Sequence, residues 1–183
     1  TLQVVLCWTH MAARYNTYNA SGALSEDSLL EGLAAALLHD SGYLKKTGDE
    51  EGTGAKFTAI HEQRSCERSE EILTSLDWPA HRRKAVAHMI STTGPRAKID
   101  EIPFHSEEER TVARMLATAD FLAQMSDPGY PEKLPALFAE FEEAHDAHGN
   151  AANNRMFASL DALASQTASF WRDFVLPRFE EEY

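Results

Sequence analysis

Four residues carry side chains that could together hold a divalent cation: His10, His39, Asp40 and Asp120. Imidazole nitrogen with carboxylate oxygen suits Mn, Fe, Co, Ni or Zn, and the carboxylates also suit Mg. The surroundings of these residues make the chemistry worth considering. His39-Asp40 follows the apolar run Ala34-Ala35-Ala36-Leu37-Leu38. Asp120 stands inside another, from Met115 to Leu122, and His10 follows Val4-Val5-Leu6. A polar group buried without a partner costs a few kcal/mol or more, and a shared cation removes that cost. Neighbouring residues on a helix project about 100° apart, so His39 and Asp40 could flank one ion where their helix ends.

Helices must position these groups. Leu29, Leu30, Leu33, Leu37 and Leu38 recur at helical spacing behind a Ser25 N-cap, and Gly42 suits a helix-ending position near Asp40. Residues 43 to 57, with Gly48, Gly52 and Gly54, read as a long loop. A helix is expected from about Thr58 to Leu76, burying Ile60, Cys66, Ile72 and Leu73; another opens at Pro79, carries Val86, Met89 and Ile90, and stops at Gly94-Pro95. Ser106 with Glu109 forms a capping box for a helix through Val112, Met115, Leu116, Ala119 and Leu122. Pro128-Gly129 stops it. Pro131 starts a helix through Leu134, Leu137, Phe138 and Phe141, and a last one spans roughly Ala152 to Phe174. No useful segment alternates with period two, so no sheet is expected. The predicted fold is all-α: one domain, a bundle of about six to eight helices, with the motif-bearing core at 1–127 and helices from 131–183 packing on it. A bundle interior is where facing helices build metal sites.

The 183 residues suffice for a single core, and 43% hydrophobic with 25% charged residues is the balance of a soluble globular chain. A formal net charge of -12 argues against a nucleic-acid polymer as partner, though not against a small phosphorylated substrate, because an ion can reverse the field in one pocket. No run of about 18 apolar residues suggests a membrane span, and residues 1 to 10 do not read as a signal peptide. Cys7 and Cys66 form no metal-spaced pair and fit reduced thiols, so a cytoplasmic setting is expected. Phe170, Trp171, Phe174 and Phe179 could close the core or form a homodimer surface.

The order His…His-Asp…Asp resembles the signature of the HD-domain superfamily of metal-dependent phosphohydrolases. Ala34 to Gly42 is similar to that family's A-A-L-L-H-D-x-G segment, His61 to Ser65 with Ser69 to Leu73 to its next helix, and Ala119-Asp120 to its final A-D motif. The resemblance covers about residues 1 to 127. It implies an HD-type bundle, a divalent ion on His10, His39, Asp40 and Asp120, and hydrolysis of a nucleotide or other small phosphate ester by metal-activated water. Asp40 would orient the water, and His61 would serve as a second ligand or as proton donor to the leaving oxygen. Candidate substrate contacts are Arg14, one turn after His10; Lys45, Lys46 and Arg64, flanking the loop; and His88. His81, His105, His145 and His148 read as solvated. Two departures stand out. Tyr43 occupies a position where some members carry an acidic residue, and Ile90-Ser91-Thr92-Thr93 ends in Thr where dinuclear members carry His. They point to a mononuclear site, and they give weight to an alternative in which a degenerate HD domain binds a nucleotide or protein partner without turnover.

Overall fold

The structure is a computed structural model, and it describes residues 1–94, 96–147 and 155–181. The described residues are helical with no strand: α1 (Leu2–Tyr18), α2 (Glu26–Leu38), α3 (His61–Ser75), α4 (Ala80–Ile90), α5 (Glu107–Met125), α6 (Tyr130–Ala147), α7 (Leu160–Phe170) and α8 (Leu176–Glu181). Short 3₁₀ turns at Ser41–Tyr43 and Gly54–Phe57 bracket the loop after α2. Pro95 and His148 lie outside the described residues, as does the start of the last predicted helix; the described helix there begins at Leu160, capped by Ser159.

Helices α1, α2, α4 and α5 enclose the core, built from Val4, Trp8, Ala12, Val86, Met89, Ile90, Val112 and Leu116. The leucine stripe of α2 meets it only in part: Leu29, Leu33 and Leu38 pack against it half-buried. Ser28, Glu31, Gly32, Ala35 and Ala36 are the buried residues of α2, while Leu30 and Leu37 stay exposed. The cause is close approach. A β-carbon on Gly32 would sit 2.1 Å from the Trp8 ring and 2.6 Å from Val112. Only small residues let α1 and α5 come this near, so α2 packs through its narrow face. Of the expected core residues of α3, Leu73 is buried, but Ile60 and Ile72 are exposed.

Capping fixes where the important helices begin. Ser25 Oγ accepts the Ser28 amide, and Glu26 and Asp27 occupy the first turn of α2, where the helix dipole favours negative charge. Ser106 Oγ accepts the Glu109 amide, as the capping box requires. The return bond differs: the Glu109 carboxylate takes the amide of His105, one residue before the cap.

Helices α6 to α8 form a thinner layer. No described residue of α6 is fully buried, while Leu163 and Val175 are. A π turn at Trp171–Val175 joins α7 to α8. Phe174 meets Phe121 of α5 edge-on at 6.1 Å and stacks on Phe170 at 5.1 Å. Part of the late aromatic set therefore closes over α5. Arg178 secures that layer by donating to the carbonyl of Ala97. No described helix is long and apolar enough to cross a membrane.

Candidate metal centre

α2 ends at Leu38, so His39 is its last αR residue and Asp40 leaves the helix with φ -97° and ψ 2°. This places the two side chains differently. His39 is 1% exposed, and its Nδ1–H donates to the carbonyl of Ala36 at 2.9 Å. That bond sets the tautomer and turns Nε2 toward two carboxylates: Asp40 Oδ2 at 3.1 Å and Asp120 Oδ1 at 3.4 Å. Asp120 arrives from the middle of α5. Although both oxygens are near, Nε2 has no hydrogen-bond partner. Both oxygens lie at ion-pair distance from it. Burial alone would disfavour an imidazolium here, but the carboxylates of Asp120 and Asp40 outweigh it and push His39 up to about 10. Burial likewise acts to raise Asp40, and the His39 ring beside it holds the carboxyl below its usual range.

By donor chemistry, an imidazole faced by two part-exposed carboxylates suits a divalent cation, which His39, Asp40 and Asp120 could hold. Among the described residues, however, the group whose ligand atoms all lie within 4.8 Å of one another is a different one, around His88.

His61 opens α3 beside this trio. Its Nδ1–H donates to the carbonyl of Thr58 at 2.7 Å, leaving Nε2 as the available nitrogen. Its ring stacks on Tyr43, with centroids 4.5 Å apart and an interplanar angle of 21°. Gly42 makes the approach possible. It is not the left-handed helix terminator its position suggests, because the glycines with positive φ are Gly48 and Gly52. Instead, a β-carbon on Gly42 would lie 2.0 Å from the His61 carbonyl oxygen. Its amide donates to Ser65 Oγ at 2.8 Å, and its carbonyl accepts from Arg64 Nε at 2.7 Å. The turn after Asp40 is thus pinned to the first turns of α3.

The remaining candidates fall elsewhere. His10 is exposed on α1, whose buried stripe is Val4, Trp8 and Ala12. The part of α1 that reaches Asp40 is its start: the Thr1 hydroxyl is 3.5 Å from Oδ2. Nine residues further along a helix is about 13.5 Å, so His10 does not join the trio. Arg14 is exposed, with its guanidinium over the Tyr18 ring. Arg64 donates to the Gly42 and Leu44 carbonyls and lies 3.6 Å from the Phe57 ring centroid. Lys45 donates to the Gly52 carbonyl at 2.7 Å, whereas Lys46 is exposed. Arg64 and Lys45 therefore brace the loop. Thr93 is buried with its hydroxyl on the Ile90 carbonyl.

Carboxylates stand near Tyr43. Burial pushes its phenol upward, and Asp40, Glu62 and Glu140 add to the shift. Glu140 belongs to α6, which meets the 54–57 turn. Its own carboxyl is raised by burial, then by Glu143 and Asp40. Glu143 also accepts from the Thr53 amide and hydroxyl, each at 2.6 Å. No sequence motif marks Glu140 or Glu143.

His88 lies in a second cluster. Together with His105 and Glu109 it offers three ligand atoms all within 4.8 Å of one another, and this group could hold a metal ion. No protein-family model, curated protein or solved structure matches the chain.

Proposed function

We propose that the chain is a metal-dependent phosphohydrolase of the HD type, acting on a nucleotide or other small phosphate ester. One observation carries this reading: the buried Nε2 of His39, without a hydrogen bond, faces the carboxylates of Asp40 and Asp120. A divalent cation held by these three residues supplies Lewis acidity and an activated water at neutral pH. Asp40 and Asp120 are both part-exposed, so the reacting groups can reach them from solvent. With Nδ1 committed to the Thr58 carbonyl, Nε2 is the nitrogen through which His61 would serve the leaving oxygen. Stacking on Tyr43 and the Gly42–Ser65 bond hold that ring in place. The free thiols Cys7 and Cys66 fit a cytoplasmic setting.

The test is turnover of a panel of phosphate mono- and diesters with Mn²⁺, Co²⁺, Ni²⁺ or Mg²⁺, comparing wild type with Asp40→Ala. Equal rates in the two proteins would sink the assignment.

A second reading is favoured by the charges. Lys45 and Arg64 are engaged with backbone carbonyls, while Asp40, Glu62 and Glu140 act together on Tyr43. In this reading the domain binds a nucleotide or a protein partner without turnover. Nucleotide binding that persists in Asp40→Ala, with no hydrolysis by wild type under any metal, would select it.

A further inference from the structure

We propose that His88, His105 and Glu109 form a second divalent-metal site, of the zinc type, which clasps the start of α5 to α4. The proposal does not depend on the function assigned to the His39 cluster.

The three ligands come from different pieces of chain. His88 projects from the last turn of α4, His105 from the segment before α5, and Glu109 from the first turn of α5. His88 Nδ1 and Glu109 Oε1 are 2.8 Å apart, and the side chains of both residues are nearly buried. The His105 ring meets the His88 ring edge-on, with centroids 5.2 Å apart. Two imidazoles and a carboxylate are a common zinc ligand set, which leaves a fourth position for water. Ligand atoms about 2.1 Å from a tetrahedral ion stand roughly 3.4 Å from one another. The present separations lie within 4.8 Å; His105 would close in, and the hydrogen-bonded His88–Glu109 pair at 2.8 Å would part slightly. The group able to make it is His105, which is exposed.

The support behind the ligands is already built. Glu109 Oε2 accepts the His105 backbone amide at 2.7 Å, and the Glu109 amide donates to Ser106 Oγ at 3.0 Å. The capping bonds therefore fix the carboxylate with one oxygen presented to His88. They also tether the residue that brings the third ligand. Ligand orientation by such neighbouring hydrogen bonds is what tunes metal sites. Glu109 and Asp120 are eleven residues apart on α5, about 16 Å, so the two clusters are separate.

The experiment is stoichiometric titration of the chelator-stripped 183-residue protein with Co²⁺, read by visible absorption, and with Zn²⁺, read by elemental analysis after desalting. Four proteins are compared: wild type, His105→Ala, His105→Cys and the Asp40→Asn/Asp120→Asn double variant. Position 105 is exposed, and unchanged far-ultraviolet circular dichroism checks that its variants fold. The expected result is one ion fewer in His105→Ala than in wild type, retention in His105→Cys with a thiolate-to-Co²⁺ charge-transfer band, and retention of this ion in the double variant. Equal ion content in wild type and His105→Ala overturns the proposal. So does loss of the ion in the double variant alone, or a wild type that takes up no ion. If only the reading of the His39 cluster fails, wild type still binds one ion and His105→Ala none.

Discussion

The two histidine–carboxylate clusters share α5 but are built in opposite senses. Around His39 the imidazole is the buried anchor, at 1% exposure, and the carboxylates of Asp40 and Asp120 are 36% and 29% exposed. Around Glu109 the carboxylate is the buried anchor, at 6%, and an imidazole forms the outer wall. The difference bears on chemistry. A cation held at the first cluster would sit behind part-exposed oxygens, within reach of solvent. A cation at the second would be braced from inside by a helix cap and would fasten α4 to the start of α5, with its fourth position left to water.

Mutations can break or sharpen that contrast. Asp40→Ala should have the largest effect, lowering kcat/KM by about 10³-fold or more in metal-supplemented assays and removing one bound ion, because it deletes the proposed metal ligand that would also orient the attacking water. His61→Gln should lower kcat by about 10²- to 10⁴-fold while leaving ion content unchanged, the pattern of a lost proton donor rather than a lost ligand. Gly42→Ala sets a β-carbon against the His61 carbonyl, so the turn and α3 must separate. A cost of roughly 1–3 kcal/mol, seen as a lower Tm, should accompany reduced turnover. His105→Ala should leave kcat within about twofold and show only in the response of Tm to added Zn²⁺, a modest effect if the ion binds only weakly to the folded state. His10→Ala should change neither turnover nor ion content; loss of an ion there would restore His10 to the first cluster and contradict its exposed position.

The helical fold was legible because periodicity and caps survive in the sequence. Ser25, Ser106 and Pro79 stand where helices begin. What periodicity could not reveal was that the deepest contacts of α2 are made beside its leucines, by small residues. Leucines mark an apolar stripe, yet Trp8 and Val112 need the small residues Gly32, Ala35 and Ala36 at the contact. At the site, the bare order of letters led to His39, Asp40 and Asp120, which do meet. It also led to His10, whose side chain faces away because a helix turns 200° in the two residues from Trp8. His105 and Glu109 were visible only in other roles, as a solvated imidazole and a cap, because their meeting with His88 depends on how α4 packs on α5. Tyr43, noticed as a missing acid, proves to be the surface on which His61 rests.

The helix end between His39 and Asp40 makes the dipeptide a directional word. Its first letter occupies a closed compartment that accepts a flat ring bonded to Ala36; its second occupies the bend just outside. Reversing the pair would keep composition, charge and local spacing, yet send a carboxylate into the closed compartment and a ring into the opening. The constraint is one of grammar rather than vocabulary, and it explains why the order of these two residues carries more information than their presence.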